Sequence, residues 1–374
     1  MKFTVITVCR NAVNEIRETV ESVLNQTYPH IEYVIIDGAS GDGTLAVLEE
    51  YADRGNVRIY SEKDNGIYNA MNRGIARASG DYLFFLNAGD TFYNDSVLET
   101  IYPYMKDDTE AIYYGKVCLV FADGSKSIED FSQWEGSLEK KLLDGLMPCH
   151  QSIFAPRKLL TDHYFRETYK IRADYEWLVY TVSKGSVCRN MPVVISDYNT
   201  SGVSGKYRNR GLSLQEEKEI IREYEKSFGQ DIDLSEQKKE SIKWKGLAQK
   251  HLFMLELMDQ WMALKQKERH IGAYLREKGY SHIAIYGMGS MGQRLYEDLE
   301  GAIAVDYGID QNADRISAKV RLYSPNDKLE AVDAIIVTAI MSFNEIEKKL
   351  SAKVTCPILA FEDILYEMTV QETG

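Results

Sequence analysis

The start of the chain alternates between two hydrophobic patterns. Phe3 to Cys9, Ile31 to Ile36, Val57 to Tyr60 and Tyr82 to Leu86 are short, nearly unbroken apolar runs. Runs of that length fit strands buried on both faces of a covered sheet and are too short for helices. Between them, Ile16, Val20, Val23 and Leu24 share one helical face, as do Ile67, Met71, Ile75 and Ala78. A further helix is expected from about Leu45 to Ala52. The order β-α-β-α-β-α-β predicts a parallel, doubly wound sheet.

The pattern then loosens. Val97, Ile101 and Tyr104 suggest a helix, and Ala111 to Val120 a strand that turns at Phe121–Ser125. Trp134, Leu138, Leu142 and Leu143 fit another helix, and Val193 to Tyr198 another strand. Residues 211–280 carry no strand pattern and read as helices over Leu212–Phe228 and about Gln237–Leu275. His282–Tyr286, a run ending at Ile309-Asp310, and Ala334–Thr338 are strands again. Three parts are expected: an α/β domain over 1–210, a helical linker or bundle over 211–280, and a small α/β domain over 281–374.

Composition adds limits. The chain is 44% hydrophobic and 27% charged, as in soluble globular proteins. A net charge of −13 argues against a nucleic-acid partner. No apolar run is long enough to span a bilayer, and the N-terminus lacks a signal-peptide core. Cys9, Cys118, Cys149, Cys188 and Cys356 are scattered and odd in number, which fits reduced thiols and a cytoplasmic location.

The strand ends gather Thr7, Asp37, the loop around Asp64, and Asn87 on one rim. Ligands of open α/β sheets bind outside the carboxyl ends of the strands. Two acids there can hold a base edge and ribose hydroxyls. They repel a bare diphosphate unless a cation neutralises it.

Five segments carry a family resemblance. They are Thr7-Val8-Cys9-Arg10-Asn11 with Glu15; Ser22 to Thr27; Ile36-Asp37-Gly38-Ala39-Ser40-Gly41-Asp42-Gly43-Thr44; Glu62 to Gly74; and Leu86-Asn87-Ala88-Gly89-Asp90. In order and spacing they resemble the inverting family 2 glycosyltransferases of GT-A fold, across residues 1–210. The resemblance implies a mostly parallel mixed sheet with helices on both faces, and a nucleotide-sugar donor whose base is usually uracil. Asp37 and Asp64 would hold the base, framed by Thr7, Asn11 and Glu15, and Asn87 would bond a ribose hydroxyl. Asn72 and Arg73 are further donor contacts. Asn11 and Glu15 also suit helix capping and first-turn charge, and Asp37 also suits an Asx-turn.

Two positions depart from the family. Its Asp-x-Asp reads Asn87-Ala88-Gly89 here, which leaves Asp90 as the carboxylate for a divalent metal, Mn²⁺ or Mg²⁺. Met71 stands where much of the family has arginine.

On the acceptor side, Cys149-His150-Gln151 resembles the family's His-Gln segment. Arg172-Ala173-Asp174-Tyr175-Glu176-Trp177 matches the acidic motif of the catalytic base, which aligns with Asp174. Glu176 and Trp177 join His150 and Gln151 as acceptor-side candidates. Residues 199–210 form a glycine-rich basic stretch that reads as a lid over the diphosphate through Ser204 and Arg208, or as a solvated exit from the domain. The acceptor implied is a glycan or a lipid-linked hydroxyl.

The apolar face with Leu247, Phe253, Met254, Leu257, Met258, Trp261, Met262 and Leu264 has three readings: a bundle face, a homo-oligomer contact through 211–280, or a peripheral membrane contact at the inner face of the membrane. Gly287-x-Gly289-x-x-Gly292 after a strand, with Asp310 at the next strand end, resembles the dinucleotide fingerprint of a Rossmann-like domain and makes a second nucleotide a candidate. Two rival functions remain: an NAD-dependent oxidoreductase built on that domain, and a non-catalytic nucleotide-sugar sensor.

Overall fold

In the computed structural model, residues 1–121, 124–133, 137–200, 210–228 and 254–370 are described. The expectations for Trp134, Ser204 and Arg208 lie outside them. The described residues fall into two compact units.

The first unit is built on nine strands: β1 (Phe3–Cys9), β2 (Ile31–Asp37), β3 (Val57–Ser61), β4 (Tyr82–Phe85), β5 (Thr91–Phe92), β6 (Ile112–Val120), β7 (Lys126–Glu129), β8 (Ile153–Pro156) and β9 (Cys188–Asn199). Their order is β3-β2-β1-β4-β8-β6-β9-β5, with β7 on β6. The first four are mutually parallel, and β8 runs antiparallel to both β4 and β6. Phe3 pairs with Ile31 and with Tyr82, and Asp37 pairs with both Cys9 and Ser61. This register brings the carboxyl ends of β1, β2, β3 and β4 to one rim.

Helices cover both faces: α1 (Ile16–Leu24), α2 (Thr44–Glu49), α3 (Ile67–Arg77), α4 (Val97–Met105), α5 (Leu138–Leu143), α6 (Arg157–Asp162), α7 (Ala173–Ser183) and α8 (Arg210–Tyr224). Strand side chains alternate between the two cores. Val5, Tyr33 and Ile35 meet Ile16, Val20 and Val23 of α1 on one side. Ile6, Val34 and Ile36 meet Met71 and Ile75 of α3 on the other. Met71 is thus a core residue, 2% exposed, and takes no part in the rim. A side chain at Gly74 would begin 2.5 Å from Ile6, so the glycine lets α3 lie close on β1. Helix α2 is shorter than expected and gives way to turns after Glu49.

The second unit holds α9 (254–266), α10 (Ile271–Glu277), β10 (His282–Tyr286), α11 (Ser290–Leu299), β11 (Ala304–Ile309), β12 (Leu322–Tyr323), β13 (Ala334–Val337), α12 (Phe343–Leu350), β14 (Ile358–Ala360) and α13 (Phe361–Val370). The sheet order is β12-β11-β10-β13-β14, all parallel, with helices on both faces, which makes the unit Rossmann-like.

The segment expected as a helical linker over 211–280 is divided. Ile220 and Tyr224 of α8 pack into the first unit, beside Tyr175, Trp177 and Leu178 of α7. Leu257, Trp261 and Leu264 of α9 pack into the second, with Trp261 edge-on to Phe361 at 5.0 Å. Met254 and Met258 pack beside these three, so most of the described face is internal packing, whereas Met262 is 56% exposed; Leu247 and Phe253 lie outside the described residues. A single helix to Leu275 does not form, because the chain turns at Glu268, whose φ of 58° lies in the left-handed region.

Candidate active site

The rim begins at β2. Asp37 is fully buried. Its Oδ2 accepts from the Ser61 hydroxyl at 2.6 Å and the Ser40 N–H at 3.1 Å, and its Oδ1 accepts from the Ser40 hydroxyl. These bonds shape the loop after β2 from inside and make Asp37 a loop anchor. Asn11, with φ 53°, braces the same loop: its Oδ1 accepts from Gly41 N–H at 3.0 Å, and its N–H donates to Ser40 Oγ at 2.8 Å. It does not cap α1, where Glu15 occupies the N-cap position.

Two glycines leave space on this rim. A Cβ at Gly38 would lie 2.3 Å from Asp64 Oδ2. The Asp64 carboxylate therefore fills that space, while its Oδ1 accepts from Gly66 N–H at 2.9 Å. A Cβ at Gly89 would lie 3.2 Å from Glu15 Oε2. Glu15 is exposed and reaches over the turn that follows β4.

Three other expected donor contacts are used elsewhere. Thr7 is fully buried; its hydroxyl donates to the Leu86 carbonyl at 2.7 Å and bonds the Tyr33 hydroxyl at 2.9 Å, tying β1 to its two neighbours. Asn72 clamps the backbone of Phe165, donating to its carbonyl at 2.9 Å and accepting from its N–H at 3.0 Å. Arg73 donates to the Lys63 carbonyl at 3.0 Å and lies 3.6 Å from Glu62, bracing the loop before α3. The Thr7 hydroxyl and the Asn72 amide are thus engaged by the fold, as is one guanidinium nitrogen of Arg73.

Asp90 is 4% exposed. Its Oδ1 accepts from Asn199 N–H at 2.9 Å and its Oδ2 from Gln151 Nε2 at 3.0 Å. Gln151 thus holds the Asp90 carboxylate and does not reach toward an acceptor. Burial pushes the Asp90 carboxyl up to about 7, against the pull of those two donors, and the nearby Glu15 charge adds to the rise. Asn87 Oδ1 is buried without a hydrogen-bond partner among the described residues. The Asn87 oxygen, the Asp90 carboxylate three residues on and Glu15 over Gly89 are oxygens of the kind a hard divalent cation takes, although among the described residues no group of three or more acidic, histidine or cysteine side chains forms a metal cluster.

Asp174 opens α7, where its charge suits the helix dipole. Its Oδ1 lies 2.9 Å from the Tyr68 hydroxyl and accepts from Tyr175 N–H at 2.9 Å. Its Oδ2 lies 3.4 Å from His150 Nδ1, and the side chain is 19% exposed. Burial raises its pKa, but the His150 ring, the Tyr68 hydroxyl and the Tyr175 N–H outweigh that and hold it below the ordinary carboxylate value. Asp174 is therefore ionised at neutral pH. Beside it is a small apolar pocket lined by Leu83, Phe85, His150, Phe165 and Trp177. Trp177 is 3% exposed and serves as the wall of that pocket.

Glu176 points the other way. It is fully buried and bonded to Tyr224, His163 and Arg166. It anchors α8 and is not an acceptor contact, because two positions on a helix lie about 200° apart. Tyr68 is the residue that sequence reasoning missed. Its place on the buried face of α3 hid a hydroxyl that needs a partner when buried, and that need was the available signal.

Residues 4–159 match the family model described as glycosyl transferase family 2. A PGL/p-HBAD biosynthesis glycosyltransferase of Mycobacterium tuberculosis (strain ATCC 25177 / H37Ra) is 30% identical over 205 residues, 54% of this chain and 77% of that protein. The chain belongs to glycosyltransferase family 2.

A second relative of this family 2 enzyme is the putative teichuronic acid biosynthesis glycosyltransferase TuaG of Bacillus subtilis (strain 168), 36% identical over 125 residues, 33% of this chain and 49% of that one. Among solved structures it is similar to S. aureus TarS 1-349 in complex with UDP-GlcNAc, with a TM-score of 0.49, 20% identity, and 65% and 70% of the two chains covered. The mixed sheet of the first unit, parallel through β3-β2-β1-β4 and antiparallel at β8, is the GT-A-like arrangement of the family. Among the described residues, no helix is long and apolar enough to cross a membrane.

In the second unit, Gly292 is needed for packing, since a Cβ there would lie 2.2 Å from the Gly287 carbonyl, while Gly289 faces open space. Asp310 braces its own loop: its Oδ2 accepts from Met288 N–H at 2.9 Å and its Oδ1 from Asn312 N–H at 2.8 Å. The acid thereby closes the glycine loop and occupies one of the amides a pyrophosphate would use.

Proposed function

We propose that this enzyme moves a sugar from a nucleotide-diphosphate donor, a UDP-sugar by preference, to a hydroxyl of a glycan or lipid-linked acceptor, with inversion. The observation that carries the reading is Asp174, an ionised carboxylate fixed by Tyr68, His150 and the Tyr175 amide, with 19% of its side chain exposed. Inversion needs one base to take the acceptor proton while the diphosphate leaves from the opposite face. Asp174 is that base. The Asp64 carboxylate over Gly38 offers acceptors to the N–H edge of a base. Asn87 serves the ribose through its amide N–H, which leaves its Oδ1 for a divalent cation that Asp90 holds. When bound, that cation screens the charge growing on the departing diphosphate. The names of the mycobacterial and Bacillus relatives support a place in glycoconjugate or surface-polysaccharide synthesis.

The test has two arms. Thermal-shift screening against UDP-, GDP- and dTDP-sugars, with and without Mn²⁺ or Mg²⁺, identifies base and metal together, because stabilisation follows RT ln(1 + [L]/Kd). Asp174→Asn should retain the donor-induced shift and lose transfer. Normal turnover in that variant would end the assignment, and an absence of any shift would end the donor reading.

A further inference from the structure

We infer that Glu15 supplies the second carboxylate of the cation site, in place of the side chain that Gly89 lacks, so that Glu15 and Asp90 together hold the divalent metal of the donor diphosphate. This deepens the donor-site reading and rests on it.

Gly89 has a φ of 93°, a conformation that favours glycine, so the turn after β4 is built without a side chain at this position. The space is not empty. Glu15 Oε2 lies 3.2 Å from where the Cβ would be, and its carboxyl carbon 3.7 Å. A carboxylate thus reaches the rim from α1. The approach is braced: Gly89 N–H donates to Thr19 Oγ1 at 3.1 Å. Thr19 lies one helical turn beyond Glu15, so the glycine turn is clipped to the helix that delivers the acid.

The ligand chemistry favours Glu15 as a donor. Among the described residues its carboxylate accepts no hydrogen bond, and the residue is exposed. Asp90 differs, since each of its oxygens already accepts an N–H. One lone pair per oxygen remains there, which supports a single metal bond but not a strong site alone. Asn87 Oδ1, buried and unpartnered among the described residues, adds a neutral oxygen at the same strand end. Hard cations collect such oxygens from carboxylates and amides, with diphosphate and water completing the shell. A purely local role for Glu15, as a carboxylate favourable to the α1 dipole, predicts a small stability effect and no effect on metal.

The test reads metal directly. Mn²⁺ is titrated into the full chain and followed by electron paramagnetic resonance, with and without UDP, or GDP if UDP does not bind. Calorimetry in EDTA measures the nucleotide alone. The wild type is expected to take Mn²⁺ more tightly in the presence of the diphosphate. Glu15→Gln should weaken that Mn²⁺ binding about ten- to a hundred-fold, well beyond any loss of nucleotide affinity in EDTA. Glu15→Asp, which keeps the charge, should recover part of the loss. Circular dichroism and melting temperature check that the exposed substitution leaves the fold intact. Wild-type Mn²⁺ affinity in Glu15→Gln overturns the inference and leaves the donor reading standing. So does a wild type that binds UDP without any gain in Mn²⁺. A wild type that binds neither diphosphate overturns both.

Discussion

Asp90→Asn is expected to stabilise the metal-free enzyme above pH 7 and to weaken it slightly near pH 4. The carboxyl is 4% exposed, and burial moves it from 3.8 to about 7. A group that binds its proton more tightly in the folded chain than in the unfolded one contributes fully below its unfolded pKa. It loses that contribution as pH rises through the folded value. The shift of about three units, at 1.36 kcal/mol each, sets a ceiling of about 4 kcal/mol for the cost of the buried charge at pH 8. Asparagine avoids that cost and can still accept from Asn199 N–H. Its amide meets the Gln151 amide, and the misfit costs about 1–2 kcal/mol until Gln151 turns over. The net gain at pH 8 is then about 2 kcal/mol, or about 4–8 °C for a unit of this size. The assay is scanning calorimetry in EDTA at pH 4.5 and pH 8, read on the transition that UDP shifts. If the variant is less stable than wild type by the same amount at both pH values, the carboxylate is not desolvated and the reasoning fails.

Further outcomes follow from neighbouring residues. His150→Ala removes a group that lowers the Asp174 pKa, so the acid limb of kcat/KM should move to higher pH; an unmoved limb would show that His150 does not act on the base. Glu176→Ala leaves the buried Tyr224 hydroxyl without its acceptor, while Arg166 keeps Glu223, and should cost about 1–3 kcal/mol in melting experiments. Acceptor KM should stay within about two-fold, whereas an acceptor contact would raise it about ten-fold or more. Gly38→Ala places a methyl 2.3 Å from Asp64 Oδ2 and must displace that carboxylate. Nucleotide affinity should fall about ten-fold, which corresponds to 1.4 kcal/mol, with little change in melting temperature.

The sheet was legible because its signal is local. Runs such as Tyr82 to Leu86 bury both faces and allow one reading. Strands β5, β12 and β14 have two or three residues, too few for any period, and only their pairing reveals them. The rim was legible as a location, since strand ends follow from strand order. Use of the side chains was not. Thr7, Asp37 and Asn72 lie at or near the rim, yet their polar atoms are bound to Leu86, Ser61 and Phe165, partners far away in sequence. The division of 211–280 escaped for a related reason: an apolar helical face does not say which sheet it will cover.

The space beside Gly38 makes positions 38 and 64 a joint variable. Nothing in the backbone at Gly38 demands glycine; the nearest obstacle to a side chain there is the Asp64 carboxylate, with Arg10 Cβ and Cδ next at 3.3 Å. One volume can hold one acid, and two would repel. A library randomising both positions and selected for donor binding should therefore return aspartate at 64 with glycine at 38, or an acid at 38 with a small neutral residue at 64. The double acid should be depleted. Substitution tolerance at either position would then be readable only as covariation with the other.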